Sequence, residues 1–252
     1  MTTTTTTTEH QPATRPGMGP VRRAALLTGV FFVITYLTSI AAKFYFYAPM
    51  FEQDNYVLGA GRDNLLLWGA LNEVVLVAAN IATAVVLFPV LKRQSEALAL
   101  GFVGARVMES VFISVGILSV LTIVTLRQDL AGAAGADSAA LATVGTALVT
   151  LQEWTFNLGP GITVGLGNGL ILGYLMYRSR LVPRGLALLG LVGGSLIVLS
   201  GGAVLMGVID AGSAWQLAAS GPEFVWELSL AIYLIVKGFK PSPLTAHAVE
   251  AR

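Results

Sequence analysis

Four ionisable residues lie deep within apolar stretches of this 252-residue chain: Glu73, Arg106, Glu109 and Glu227. A charge in hydrocarbon costs about 2.5–3.5 kcal/mol on insertion scales, so such residues face a bundle interior, paired or beside water. Glu73 and Asn80 share a helix face two turns apart, and Thr83 extends that stripe. Arg106 and Glu109 stand at i,i+3, close enough to pair, with Ser110 and Ser114 one and two turns beyond Arg106. Glu223 and Glu227 stand at i,i+4, with Glu227 the deeper. At a rise of about 1.5 Å per residue, Asn80 and Glu109 fall near the bilayer centre, Glu73, Glu153 and Glu227 in the outer half and Arg106 in the inner half.

One arginine thus faces four carboxylates: Glu73, Glu109, Glu153 and Glu227. Arginine is effectively always protonated, so the surplus glutamates are protonated, hydrated from outside or balanced by a bound cation. Burial favours the neutral form of a carboxyl. A site alternating between these states would bind a proton or cation. The candidate intramembrane polar site is Glu73, Asn80, Arg106, Glu109, Glu153, Asn157 and Glu227, with Glu109 singled out because it is central and adjoins the buried cation. The competing expectation is that Arg106–Glu109 or Arg106–Glu73 is a buried pair fixing helix register, with the other glutamates at a wet outer rim.

The elements that position these residues are membrane spans. Hydrophobic residues make up 55% of the chain and charged residues 12%, with a mean hydropathy of +0.74; a soluble domain needs more charge to cover its surface. The expected fold is an all-α integral membrane bundle of six spans, about 21–42, 65–91, 97–126, 150–177, 184–209 and 221–237, each near the ~20 residues that cross a bilayer. The apolar run after Arg22 and Arg23 exceeds a 7–15-residue signal core and reads as an uncleaved first helix. Residues 1–20 form a Thr-rich low-complexity tail and 240–252 a second polar tail, both expected to be disordered, so the membrane domain is 21–239.

With six spans, Arg15, Arg22, Arg23, Lys92, Arg93, Arg178, Arg180, Arg184, Lys237 and Lys240 share one side. Lys43, Arg62 and Arg127 share the other with Glu52, Asp54, Asp63, Asp129, Asp137 and Asp210. The positive-inside rule then puts both termini in the cytoplasm. Phe44, Tyr45, Phe46 and Tyr47, with Trp215 and Trp226, read as an outer aromatic belt. The loop from Pro49 to Asn64 reads as a connector rather than a lid.

The stretch from Asp137 to Tyr177 is too long for one straight span, and Gly159-Pro160-Gly161 predicts a kink. Residues 138–149 read as an interfacial or poorly ordered lead-in. Gly161, Gly165, Gly169 and Gly173 recur every four residues, giving a glycine-faced helix for close packing, with Glu153 and Asn157 continuing the series outward. The functional alternative is a broken helix whose freed backbone binds a ligand. Gly193, Gly194, Gly201 and Gly202 make the fifth span similarly small-faced.

Several functions are disfavoured. The chain has no cysteine, and its two histidines, His10 and His247, lie in the tails. This excludes disulfides, thiolate nucleophiles, bis-histidine haem and histidine-ligated zinc within the membrane. A net charge of +1 gives no footprint for nucleic acid. No Asp-rich metal motif or nucleophile elbow supports a lipid-modifying enzyme, and Gly193-Gly194-Ser195 carries no base. No catalytic residue, metal or cofactor is expected.

Phe88-Pro89-Val90-Leu91-Lys92-Arg93, Ala105-Arg106-Val107-Met108-Glu109-Ser110 and Val225-Trp226-Glu227-Leu228-Ser229 occur in this order, with Asn55 to Gly61 before them and Leu172 to Ser179 between the last two. Together they resemble the bacterial membrane family catalogued as domain of unknown function 4386, over about Val21 to Phe239. The resemblance implies a six-helix protein of the bacterial cytoplasmic membrane and no particular reaction or ligand. The leading expectation is a small transporter or carrier in the lipid bilayer that binds a proton, cation or small molecule. A three-plus-three division would set its halves in opposite orientations, as inverted repeats require. A non-catalytic sensor or partner subunit is the alternative, with oligomeric state and protein partners open.

Overall fold

A computed structural model describes residues 18–53, 56–59, 61–130 and 138–242. Both expected terminal tails fall mainly outside these residues, as do Asp54, Asn55, Ala60 and Asp137 of the expected outer loops. The helices are α1 (Pro20–Ala41, prolonged by a π-helical turn Ala42–Phe46), α2 (Ala48–Glu52), α3 (Asp63–Leu91) and α4 (Glu96–Leu130). They are followed by α5 (Ser138–Phe156), π-helical stretches Asn157–Thr163 and Gly165–Leu172, α6 (Gly173–Ser179), α7 (Arg184–Leu205) and α8 (Ala214–Val236). Among the described residues six helices are long and apolar enough to cross a membrane. Helix is the expected solution, because it satisfies backbone hydrogen bonds where lipid offers no partner.

The spans close into a ring in chain order. α1 lies beside α3 and α8, α3 beside α4, α4 beside the fourth span, and α7 between the fourth span and α8. Side chains close the ring at the terminal end. Arg22 Nη1 and Nη2 donate to the carbonyls of Leu234 and Ile235, at 2.8 and 2.6 Å. Both are final-turn carbonyls of α8, where backbone donors run out; Leu234 also accepts from the Gly238 N–H at 3.2 Å. Gly238 follows with φ +74°, a left-handed turn that a side chain would strain.

The fourth span runs unbroken from Ser138 to Ser179, so residues 138–149 are helix continuous with it rather than a poorly ordered lead-in. Its 42 residues reach roughly 60 Å at ~1.5 Å per residue, about twice a ~30 Å hydrocarbon core. α4, at 35 residues, also overshoots. Their ends remote from the chain termini pack with the chain after α1: Tyr47, Met50, Tyr56 and Val57 are buried against Leu66, Val120, Ile123 and Val124. The described part of the loop between α1 and α3 is therefore a packed cap. Arg127 fastens it, donating from Nε to Asp63 at 2.7 Å and from Nη1 to the Tyr56 carbonyl. Burial pushes the Tyr56 phenol above its usual range, so it stays neutral under the cap.

Pro160 would clash with the carbonyl four residues earlier in a regular helix. The structure absorbs it in the π-helical turn 157–163, where Thr163 Oγ1 reaches back to the Leu158 carbonyl at 2.6 Å. Trp226, expected in the interfacial belt, is wholly buried. Its ring lies over Gly190, where a Cβ would meet it at 2.6 Å; Trp215 is exposed.

Three of the four regularly spaced glycines meet α7 backbone. A Cβ on Gly169 would lie 2.3 Å from Gly194 Cα, one on Gly165 3.0 Å from the Gly194 carbonyl, and one on Gly173 3.2 Å from Leu191 N. A Cβ on Gly161 would meet nothing nearer than its own helix's Phe156 carbonyl at 3.6 Å. Gly169→Ala is accordingly expected to lose monodisperse protein on detergent extraction. Gly161→Ala should hold or raise the melting temperature, since alanine favours helix by about 1 kcal/mol over glycine. Similar melting temperatures for the two variants would contradict this packing.

Candidate functional site

Between two apolar clusters lies a polar layer. Towards the terminal end are Phe32, Leu87, Phe102, Leu175, Met176, Trp226 and Leu230; towards the cap are Ala70, Leu76, Ile113 and Ile117. Asn80, Arg106, Glu109, Asn168 and Glu223 are buried within this middle zone. Each is carried on a different turn of a long helix, so no loop is needed to bring them together.

Arg106 is 2% exposed and the one buried basic side chain among the described residues. Its Nη1 donates to Glu109 Oε2 at 2.7 Å, its Nη2 to Asn80 Oδ1, and its guanidinium lies 5.5 Å from the Phe32 ring centroid. One cation thus touches α1, α3 and α4. Arg106 Nε has no hydrogen-bond partner. Ser110 and Ser114 bond back to carbonyls four residues earlier in their own helix and so do not extend this network.

Glu73 does not join Arg106. Its Oε2 accepts from the Tyr47 hydroxyl at 2.8 Å. Burial and the neighbouring Glu73 carboxylate push the Tyr47 phenol above its ordinary range, so it remains a donor. Beside Glu73 is a void of about 10 Å³ lined by Gly116, Gln152, Thr155 and Pro160, close to the minimum that holds one water.

Glu227 accepts from Asn168 Nδ2, and Trp226 Nε1 donates to the Asn168 backbone carbonyl at 3.1 Å. Arg106 and Glu109 lie close enough to Glu227 to interact with it electrostatically. Although Glu227 is the deeper along the span, Glu223 is the less accessible, at 2% exposure. Neither Glu223 oxygen has a hydrogen-bond partner.

Asn157 is also engaged, accepting from Gln216 Nε2 at 2.9 Å and approaching the Gly201 carbonyl at 3.5 Å. Glu153, by contrast, is exposed; its nearest charge effect is on Lys43. From buried Asn157, at the start of the π-helical turn, the next four-residue step back into α5 overshoots the 3.6-residue turn and leaves Glu153 off the buried face, which Gln152 and Thr155 occupy. The structure brings Asn80, Arg106, Glu109 and Glu227 together, sets Glu73 and Asn157 at separate points nearer the cap, and leaves Glu153 outside. It adds Tyr47, Asn168 and Gln216, which sequence reasoning missed, and Glu223, which was noted only as the shallower partner of Glu227 and is buried. A polar residue centred in the glycine run, Asn168, was the signal available.

A family model described as "Domain of unknown function (DUF4386)" matches residues 27–238. No curated protein and no solved structure matches the chain.

Removing Arg106 leaves Glu109 buried without its counter-charge, a loss of about 3–5 kcal/mol in comparable sites. Arg106→Gln should therefore lower the melting temperature in detergent much more than Tyr47→Phe. The latter removes one hydrogen bond to a carboxylate, worth about 1.5–3 kcal/mol. An Arg106→Gln variant as stable as wild type would show that the guanidinium does not hold the three helices.

Proposed function

The chain belongs to the DUF4386 family, and from that premise we propose that it is a membrane carrier binding a proton or small cation among its interior carboxylates. The carrying observation is the charge count. Glu73, Glu109 and Glu223 are buried, Glu227 faces the same layer, and Arg106 is the one buried cation among the described residues. Arg106 is taken up by Glu109 and Asn80, so Glu223 and Glu227 need another positive charge. The void beside Glu73, at about 10 Å³, suits a water or proton rather than an organic solute.

In this reading both termini are cytoplasmic, because Arg22, Arg23, Lys92, Arg93, Arg178, Arg184 and Lys237 gather at one end. The membrane is the bacterial cytoplasmic membrane. The glycine faces of the fourth and fifth spans bring their backbones together, which leaves side chains such as Asn168 beside α8. The cap covers the outer end, and Tyr47–Glu73 is the first acidic group beneath it.

A second reading is favoured by Arg106 itself. A guanidinium touching α1, α3 and α4 is what a purely structural clamp would need, in a sensor or partner subunit that moves nothing.

Proteoliposomes with a pH-reporting dye inside separate the two. Under a negative-inside potassium diffusion potential, wild type should acidify the lumen faster than empty vesicles, and Glu227→Gln should not. Folded wild-type protein giving no proton or sodium flux above empty vesicles would favour the clamp alone.

A further inference from the structure

The junction of the fourth span, α7 and α8 contains acceptors with no donor. Glu223 Oε1, Glu223 Oε2 and Asn168 Oδ1 are all buried without a hydrogen-bond partner. Glu223 is 2% and Asn168 0% exposed. Glu223 presses its carboxyl against the fourth span one residue from Asn168: its Oε2 lies 2.7 Å from where a Gly169 Cβ would stand and 2.8 Å from a Gly193 Cβ. Asn168, next to Gly169, holds Glu227 one turn along α8 from Glu223. We propose that Glu223, Asn168 and Glu227 form a site for a dehydrated monovalent cation of the sodium class.

Counting lone pairs favours a metal cation over a proton. A proton on Glu223 makes one oxygen a donor, and that donor satisfies one further acceptor; the third stays orphaned at the cost of a buried unpaired polar group. A cation is shared by all three oxygens at once. Each is a hard oxygen ligand, and none is a nitrogen or sulfur donor that would select a transition metal. Divalent ions fit poorly, because Ca²⁺ takes about six to eight oxygens and Mg²⁺ keeps several waters, whereas glycine backbones close this junction tightly.

The surrounding charges agree. From α4, Arg106 and Glu109 act on Glu227 with opposite signs. From α1, Tyr36 is within electrostatic reach of Glu227, and its hydroxyl is buried without a partner. α7 contributes no titratable side chain here, only Gly193 and Gly194. The Arg106–Glu109 pair is near neutral by itself, so Glu223 and Glu227 supply the unbalanced negative charge. Asn168 lies within the π-helical stretch Gly165–Leu172. Such wide turns recur at functional sites, where they displace backbone groups from the regular hydrogen-bond ladder.

This site deepens the carrier reading by naming its ion, and equilibrium binding tests it without any flux. The full chain is melted in detergent at pH 8 in NaCl and in choline chloride of equal ionic strength. Wild type should melt several degrees higher in NaCl, because an ion bound only by the folded state stabilises it by mass action. Glu223→Gln, which keeps shape and removes the charge, should melt at least as high as wild type in choline chloride and show no sodium-dependent rise. Asn168→Ala should weaken the rise and shift its midpoint to higher sodium. Equal wild-type melting in the two salts, or a full sodium response in Glu223→Gln, would overturn the site. Sodium-dependent melting without flux would sink the carrier reading and leave the site standing. Proton flux without sodium-dependent melting would do the reverse.

Discussion

Arg106 carries a charge it cannot shed, and it lies in the middle of a ring of apolar helices. That constraint organises the interior. Neutralising the guanidinium takes Glu109 from its own helix, and satisfying its second fork takes Asn80 from α3. Phe32 on α1 lies against it. Three helices are thereby registered by one side chain. Buried ion pairs contribute little net stability relative to apolar packing, but breaking one is costly. The pair therefore specifies how the helices align more than how tightly they hold.

The other half of the ring is built differently. α7 and the fourth span meet through glycine, with Gly194 pressed against both Gly165 and Gly169. Close backbone approach is a principal source of helix association in lipid, where apolar side chains gain nothing by leaving water. It also sets the Glu223 carboxyl directly against the glycine backbones, with no side-chain donor from α7 beside it. The π-helical stretches accommodate Pro160 and present Asn157 to Gln216 and Asn168 to Glu227, both on α8. One half of the ring is thus built on a buried ion pair, and the other on a carboxylate lacking a donor.

Much of this was legible from spacing within single helices. Arg106 with Glu109, and Glu73 with Asn80 and Thr83, follow from helical periodicity, and the structure buries all five. The six spans follow from length and hydropathy. What spacing could not supply was register between helices. Tyr47 reaches Glu73, and Asn168 reaches Glu227, across separations of 26 and 59 residues. Glu153 was misplaced because a four-residue series is not a straight line on a helix of 3.6 residues per turn. Trp226 was misplaced because an aromatic near a span end can bury as readily as anchor, and only the facing Gly190 decides it.

On this reading Arg106 and Glu109 form a fixed ion pair while the α8 carboxyls exchange their counter-ion. Infrared difference spectroscopy of the protein in lipid, recorded between acidic and alkaline pH, tests it most directly. A buried carboxyl band should respond to pH, move when sodium replaces choline, and disappear in Glu223→Gln or Glu227→Gln. Glu109 should contribute no titrating band. A spectrum whose titrating carboxyl is lost only in Glu109→Gln would instead make Glu109 the exchanging group and leave Arg106 without a fixed partner.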